Sequence, residues 1–341
     1  MLAQSARHFV DLLIVMNKII FVWLCFFSAN VFAADLRVAL VLDKGGKDDK
    51  SFNNAAYVGA EKAKNELGIQ LKYVEATDDA AIEGMIRAFA QKKFDLIIAI
   101  GFSMAEAIKK VAEAYPDLKF ALVDSEVKLP NVRSLMFEEH QGSYVVGALA
   151  GLMTKTGKIG FLGGMDVPLI RRFQLGFEAG IKKTNPEATL ITNYTGVTPE
   201  AWNNPAKAKE LALAQYSEGT DIIFGAAGAS NYGLFDAAED QKKFAIGVDS
   251  NQNWVKPGFV LTSMLKRVDV AVFQVIKDTK AGKFTSGTER FGLKNRGIDY
   301  SLDKYNDKLV PADVRKKVDQ IKADIAAGKI SVPDYYKKNG K

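Results

Sequence analysis

The polar, glycine-marked loop "DKGGKDDKSFNN" ends in an aromatic residue and an amide, just where a helical pattern begins. Ser51 is typical of a helix cap, because its hydroxyl can accept a hydrogen bond from a free backbone N–H group. Phe52 has two interpretations. It packs on the new helix as a hydrophobic staple, or it faces a ligand beyond the carboxyl end of a strand. The stretch alone leaves both open.

Other aromatic, amide and charged residues follow further apolar runs that read as strands. Aromatic rings offer flat faces for stacking, carboxylates accept two hydrogen bonds from a diol or from ring N–H groups, and lysine only donates. Such a set suits a planar heterocycle that carries a sugar. It lacks the convergent arginines that a phosphate favours, so a nucleoside fits better than a nucleotide. These candidates are Asp49, Asn53, Gly101, Phe102, Asp124, Trp202, Asn203, Gly228, Asp249, Asn251, Gln252 and Lys266.

Each candidate also has a structural interpretation. Asp124 and Asp249 suit helix caps, and Trp202 suits packing between a loop and a helix. Lys266 suits a solvated charge at a strand end, and glycines such as Gly228 occur routinely in turns. From the residues alone these alternatives stay open.

Metal, cofactor and catalytic motifs do not stand out in the sequence. His140 is the only histidine after the leader segment and has no cysteine or second histidine to join it, so we interpret it as structural. We find no nucleophile elbow, phosphate loop or metal motif. We therefore expect no cofactor and no enzymatic activity.

Strand and helix patterns alternate after residue 35. Apolar runs separated by helical patterns indicate parallel strands joined by crossover helices. The first series of strands is predicted at 36–43, 71–77, 95–101 and 119–125, where it closes. The second series is predicted at 158–164, 189–196, 221–228 and 243–250.

The segments "KFALVDS" and "KFAIGVDS" are near copies that end the two series. We therefore predict two similar, doubly wound α/β lobes with a ligand cleft between the carboxyl ends of their strands. The stretch 259–278 adds a strand and a helix and is expected to cross back to the first lobe. The last helix is expected near 311–327. The predicted lobes are 34–138 with about 251–285, and 139–250 with about 286–341.

The first 33 residues have the pattern of a secretory signal peptide, with Lys18 followed by an apolar run and small residues before Ala34. Met16 is an alternative start. The one cysteine, Cys25, follows Leu24, which is not the small residue that a lipoprotein signal requires, so we expect no lipid anchor. Without this segment the chain has no cysteine, which excludes disulfide and thiol chemistry. The sequence predicts a free periplasmic protein.

Composition excludes two further classes. The chain of 341 residues is 48% hydrophobic and 25% charged, with mean hydropathy of −0.04, which is globular and argues against a multi-span membrane protein. The formal net charge is +6, but the basic residues form no cluster in the sequence, so we do not expect nucleic acid as a partner. An exported two-lobed α/β chain is most simply the solute-binding component of an importer.

These motifs resemble the basic membrane protein family, the purine nucleoside receptor A-like substrate-binding proteins of ABC importers. The resemblance spans about residues 36–275 in the family's order. The family has a type I periplasmic-binding-protein fold. The sequence of this chain differs from the family's motif at Asn204, where aspartate is usual. The matching pieces are "DDKSFNNAAYVGAEKA", "FALVDS", "FEEHQGSYVVGALAGLMTKTGKIGFLGG", "RFQLGFEAG", "NNPAKAKELA" and "VLTSMLKRVDVAV".

The resemblance implies roles for the residues at the strand ends. Phe52 would stack on the base, and Trp202 from the other lobe would stack opposite it, where phenylalanine is commoner. Asn53 and Asp124 would address the base edge. Asp249 and Lys266 would then hold the ribose hydroxyls, and Gly228 would supply a backbone contact.

The resemblance implies that the protein binds a purine nucleoside and delivers it to a membrane permease with its cytoplasmic ATPase. We expect the protein to be a monomer. We keep two alternatives. The same fold would bind a sugar or another small polar metabolite, or it would act as a ligand sensor without transport. A periplasmic nucleoside hydrolase is a further alternative that release of free base would reveal.

Overall fold

The computed structural model describes residues 35–338, and twelve strands lie in that part of the chain. The predicted signal peptide, with Met16 and Cys25, lies outside the described residues. The strands are, in chain order, β1 (Arg37–Leu42), β2 (Gln70–Glu75), β3 (Leu96–Ile100), β4 (Lys119–Val123), β5 (Val132–Phe137), β6 (Lys158–Met165), β7 (Thr189–Gly196), β8 (Ile222–Ala226), β9 (Phe244–Asp249), β10 (Val260–Lys266), β11 (Gly287–Phe291) and β12 (Ile298–Tyr300).

Helices connect most of these strands, as the sequence pattern predicts. The last long helix is close to its predicted position near 311–327. The helices are α1 (Phe52–Leu67), α2 (Asp79–Gln91), α3 (Ala105–Ala114), α4 (Glu139–Met153), α5 (Pro168–Thr184), α6 (Pro205–Ser217), α7 (Asn231–Gln241), α8 (Val268–Lys280), α9 (Ala312–Ala326) and α10 (Tyr335–Lys338). None of the helices in residues 35–338 is long and apolar enough to cross a membrane.

The strands form two six-stranded sheets of the same order. The first runs β2-β1-β3-β4-β5-β11 and the second β7-β6-β8-β9-β10-β12. All neighbours are parallel except β10 and β12, which pair antiparallel. The near copies "KFALVDS" and "KFAIGVDS" contain β4 and β9, which hold the equivalent fourth place in each sheet. The predicted fold of two doubly wound lobes is confirmed.

Two predictions about the strand series are wrong. The first series does not close with β4, because β5 adds a further parallel strand, which the mixed sequence "VRSLMF" concealed. The return to the first lobe is also later than predicted. β10 pairs with β9 and so stays in the second sheet, and the chain returns only after Lys266, where α8 packs on α1. β11 then joins β5, beyond the predicted limit at 285. A buried apolar run such as β10 fits either sheet, so its sequence does not show its partner.

Helices cover both faces of each sheet. In the first sheet, α2 and α3 pack their isoleucines and valines on one face. Helices α6 and α7 cover one face of the second sheet. A larger core, shared by both sheets, includes α1, α8, α4 and α5 on the remaining faces. Because both faces are covered, the central strands are apolar throughout, as parallel strands require.

Glycines allow α4 and α5 to pack very closely. A Cβ atom on Gly180 would lie 2.0 Å from the carbonyl oxygen of Tyr144, and one on Gly147 would lie 2.2 Å from that of Phe177. These neighbours are backbone atoms, so the helices themselves would have to move apart. The glycines therefore set the separation of α4 and α5.

We expect Gly180→Ala to lower the free energy of unfolding by about 1–3 kcal/mol through overpacking of this contact. Gly84→Ala is the matched control, since Gly84 also lies within a helix but has open space around its Cβ position. In Gly84→Ala we expect the free energy of unfolding to rise by about 0.5–1 kcal/mol, because alanine has the higher helix propensity. Urea denaturation measures both. A Gly180→Ala protein as stable as the native one would contradict the close packing.

Candidate ligand-binding cleft

A partly open cavity lies between the carboxyl ends of the strands of the two sheets, with about 570 Å³ of space that includes a part open to solvent. The polar and aromatic residues that line it come from both sheets, so it is a cleft between two lobes. The seven residues to which the family resemblance gives roles all line this cavity: Phe52, Asn53, Asp124, Trp202, Gly228, Asp249 and Lys266. Of the other candidates, Asp49, Gly101 and Phe102 line it as well, whereas Asn203, Asn251 and Gln252 do not.

One part of the wall is aromatic. Phe52 lies at the start of α1, and Phe102 follows β3, so both come from the first lobe. Trp202 lies in a short 3₁₀ turn of the second lobe and meets Phe102 edge to face, with ring centroids 6.5 Å apart and planes at 79°. Gly164 makes room for Trp202, because a Cβ atom there would lie 2.0 Å from the indole ring. Flat faces of both lobes therefore border the cavity.

The sequence reasoning missed five apolar residues of the wall, of which Ala226 and Val248 lie in β8 and β9 and the other three on α5. Leu169, Ile170 and Phe173 lie in the first turns of α5 and line the cavity. They form one face of this helix, with the spacing i, i+1 and i+4. That spacing could have been recognised, but the same pattern is typical of any helix face that packs on a core.

Asp49, rather than Ser51, caps helix α1. Its carboxylate accepts hydrogen bonds from the backbone N–H groups of Ser51, Asn53 and Asn54 at 2.8, 2.9 and 2.9 Å. The predicted cap by Ser51 is therefore wrong. A carboxylate two residues earlier satisfies several free N–H groups at once. This releases the Ser51 hydroxyl, which donates to Asp249 Oδ2 at 2.6 Å across the cleft.

Asn53 is engaged by its own loop. Its amide nitrogen donates to Asp43 Oδ1 at 2.7 Å and to Asp49 Oδ2 at 3.1 Å. Its side-chain oxygen accepts from the backbone N–H of Asp43 at 3.2 Å. Asn53 thus holds Asp43, a cavity residue that the sequence reasoning missed, in place. A contact between Asn53 and a ligand stays a prediction.

Asp124 and Asp249 occupy equivalent places directly after β4 and at the end of β9. Both have positive φ angles, 71° and 64°, which turn their side chains out of the strand direction. Neither begins a helix, since each leads into a loop, so the alternative that they are helix caps does not hold. Instead, both line the cavity.

Burial changes the proton affinity of these two carboxylates. It raises the pKa of Asp124 to about 7 and that of Asp249 to about 6, although the nearby Lys266 ammonium lowers both. Asp124 Oδ1 is buried and has no hydrogen-bond partner among the described residues. An unsatisfied buried acceptor is costly, so this oxygen is ready to accept a hydrogen bond from a ligand.

Lys266 ends β10 and is almost fully buried, which excludes the interpretation as a solvated charge. Its ammonium lies 2.6 Å from Asp124 Oδ2 and 3.1 Å from Glu139 Oε1. Burial lowers the pKa of Lys266, but the two carboxylates outweigh this effect and raise it above its usual value. The ammonium also lies 5.1 Å from the ring centroid of Phe52. A permanent cation therefore sits beside the aromatic wall.

Gly228 and His140 have structural reasons for their identity. Gly228 has a φ of 58° and lies close to the Trp202 carbonyl, so its backbone geometry favours glycine whether or not a ligand is bound. His140 is buried 3.4 Å from Glu138, and burial lowers its pKa to about 4. The structural role of His140 stays a prediction.

Residues 36–335 match the family model described as ABC transporter substrate-binding protein PnrA-like. This chain belongs to that family. It is therefore the substrate-binding component of an ABC transporter, with the two-lobed fold of the solute-binding proteins.

Relatives of the PnrA-like family support the same assignment. The chain is 36% identical, over 88% of both proteins, to a CD4+ T-cell-stimulating antigen of Listeria innocua. It is 34% identical to an ABC transporter nucleoside-binding protein, BmpA, of Lactococcus lactis, over 88% of this chain and 89% of the relative. An uncharacterized lipoprotein of Pyrococcus abyssi is also 34% identical, over 79% of this chain and 69% of the relative.

A solved structure matches the fold over most of the chain. A solute-binding protein of an ABC transporter system from Aeropyrum pernix K1 superimposes with a TM-score of 0.80 at 29% identity. The match covers 87% of this chain and 94% of the solved one.

The raised pKa of Asp249 predicts how the stability of the ligand-free protein changes with pH. Because its folded pKa of about 6 lies above the ordinary value of 3.8, folding favours the protonated form. Protonated Asp249 therefore stabilises the folded protein, and this stabilisation is complete below pH 3.8 and is lost as the pH rises through 6. We expect Asp249→Asn, which tolerates a positive φ and still accepts from Ser51, to raise the free energy of unfolding at pH 7.5 by up to about 3 kcal/mol.

Urea denaturation between pH 4 and pH 7.5 measures this effect, and the decline with pH should be smaller in Asp249→Asn. The control is Asp117→Asn at an exposed carboxylate, where we expect no change. A lower stability of Asp249→Asn at pH 7.5 would show that the charged carboxylate stabilises the cleft.

Proposed function

We propose that this protein binds a purine nucleoside between its two lobes and delivers it to the permease of an ABC importer. The observation that carries the proposal is one cavity that joins aromatic faces from both lobes to carboxylates and a single ammonium group. Phe52 and Trp202 provide the faces for a base, and Asp124, Asp249 and Lys266 provide acceptors and a donor. The name of the Lactococcus lactis relative, a nucleoside-binding protein, agrees with this choice.

The charges of the cavity argue against a phosphorylated ligand. Four carboxylates line it, from Asp43, Asp49, Asp124 and Asp249, whereas Lys266 is the one cation among the described lining residues. A phosphate would meet acceptors where it needs donors, and it would lack the bidentate arginine contacts that usually hold it. The N–H groups of a base and the hydroxyls of a ribose are donors that these carboxylates can accept.

We propose hinge closure as the mechanism. The contacts that join the lobes in this closed arrangement include Ser51 with Asp249, Lys266 with Asp124, and Lys44 with Glu200, whose atoms are 3.1 Å apart at the rim. A ligand in the cavity would add contacts to both lobes and favour this form, which the permease would then recognise.

The strand pairing also revises the proposed lobes. We assign residues 35–137 and 268–291 to the first lobe, and 139–266 with 298–338 to the second. We further propose that the protein is exported and acts as a monomer. We propose that it carries no lipid anchor, because Leu24 is not the small residue that a lipoprotein signal has before its cysteine; the Pyrococcus abyssi relative, by contrast, is named a lipoprotein.

A panel of ligands tests the nucleoside proposal. The purified protein is first unfolded and refolded to remove bound ligand, and its melting temperature is then measured with adenosine, guanosine, inosine, cytidine, uridine, ribose and free bases. A purine nucleoside at a hundred times its Kd should add about 2.7 kcal/mol to the stability. No shift with any nucleoside would contradict the proposal, and a shift with ribose alone would favour the sugar-binding alternative.

We expect Phe52→Leu to weaken nucleoside binding by about 10- to 100-fold, because the replacement keeps apolar bulk but loses a stacking face. Phe284→Leu is the matched control, since Phe284 packs on the protein core outside the cavity. The nucleoside affinity of this variant should equal that of the native protein. Isothermal titration calorimetry measures both. An unchanged Kd in Phe52→Leu would show that the ring does not stack on the ligand.

A further inference from the structure

A chain of buried ionic contacts leads from the C-terminal segment to the lysine of the cleft. It begins at Asp334, which precedes the short helix α10. The guanidinium of Arg172, on α5, meets the Asp334 carboxylate with two parallel hydrogen bonds of 2.8 and 2.9 Å. The ring of Tyr336 lies beside the same guanidinium, 4.8 Å from its central carbon. The C-terminal segment thus holds a side chain of the second lobe.

Glu139 carries the chain onward to the cleft. Its Oε2 atom accepts from Arg172 Nη1 at 2.6 Å, and its Oε1 atom lies 3.1 Å from Lys266 Nζ. Each oxygen of this carboxylate therefore serves a different cation. Lys266 in turn meets Asp124 at 2.6 Å. Five charged side chains are linked in sequence from the C-terminal segment to the binding cavity.

The burial of these groups makes their positions interdependent. Arg172, Glu139 and Lys266 are each only 1% exposed. A buried charge is tolerated only while it is paired, and removing one partner leaves the next one unsatisfied. Burial raises the pKa of Glu139, but Lys266 and Arg172 outweigh this and lower it overall, so Glu139 stays charged between them. The contact of Arg172 with Glu139 and its contact with Asp334 therefore depend on one another.

A metal ion is a weaker explanation for the acidic groups here. Glu138, His140 and Asp334 could together offer three ligand atoms to a cation. However, Arg172 already binds Glu138 at 3.0 Å and Asp334 at 2.8 Å. The guanidinium supplies the positive charge that these carboxylates need.

We propose that Arg172 and Asp334 are positioning residues for ligand binding, which act through Glu139 to hold the ammonium group of Lys266 at its place in the cleft. The C-terminal segment is then part of the binding apparatus, although it lies outside the cavity. The proposal rests on the ligand-binding role proposed for the cleft.

Two pairs of matched variants test the proposal. Asp334→Asn and Arg172→Lys weaken the chain of contacts. Asp166→Asn and Arg171→Lys make the same changes in a neighbouring pair, whose bidentate contact of 2.5 and 2.6 Å is at the surface. Asp334→Glu keeps the charge and serves as the rescue variant.

The first measurement is the affinity for inosine by calorimetry, at a temperature where each variant is folded. We expect Asp334→Asn and Arg172→Lys to bind about five- to tenfold more weakly than the native protein. The two surface controls should bind as the native protein does, and Asp334→Glu should keep most of the affinity. Native affinity in both Asp334→Asn and Arg172→Lys would overturn the proposal, as would equal losses in the surface pair.

The second measurement does not depend on the identity of the ligand. The ligand-free protein is treated briefly with acetic anhydride, and acetylation of Lys266 is measured by mass spectrometry relative to the exposed Lys110. In the native protein Lys266 should be protected, and in Asp334→Asn its modification should rise severalfold. Unchanged protection in a folded variant would overturn the proposal even if the native protein bound no nucleoside, an outcome that would separately reject the proposed function.

Discussion

The ammonium group of Lys266 is buried between two lobes, and much of the cleft is organised around this charge. Taking an ammonium out of water is expensive unless several partners satisfy it. Here Asp124 comes from the first sheet, Glu139 from the start of α4, and the ring of Phe52 from α1. These partners meet only when the carboxyl ends of both sheets face one another. The partners that the buried ammonium needs are thus brought together by the same arrangement of the two lobes that forms the cavity.

The two lobes repeat one arrangement of strands, and in each lobe a carboxylate at the end of an equivalent strand contacts the other lobe. Asp124 and Asp249 follow equivalent strands and share a positive φ. Asp124 crosses to Lys266, at the end of a strand of the second sheet, and Asp249 crosses to Ser51, at the start of a helix on the first. Such reciprocal contacts join the lobes from both sides. They also explain why both carboxylates are held in buried places that raise their pKa.

This arrangement has an energetic cost in the absence of a ligand. Buried carboxylates with raised pKa values, together with the unpartnered oxygen of Asp124, lower the stability of the empty protein at neutral pH. A ligand that donates hydrogen bonds to these oxygens removes part of that cost. The same groups that weaken the empty cleft therefore favour the bound one, as is common at functional sites.

The sequence by itself determined the alternation of strands and helices, the duplication of the lobes and the residues at the strand ends, because these depend on local periodicity and on the rule that parallel strands end at one edge of a sheet. The seven residues with assigned roles line one cavity for this reason, whereas the candidates Asn203, Asn251 and Gln252 do not line it. The resemblance carried in its motifs also led to the correct family.

Only the tertiary structure decided which sheet received β10 and β11, because an apolar strand fits any parallel neighbour. It also decided that Asp49 caps α1 in place of Ser51, and that buried ionic contacts link Asp334, Arg172 and Glu139 to Lys266. The charges that pair here lie up to 162 positions apart in the chain. Such pairing leaves no local sequence pattern, so only the fold reveals it.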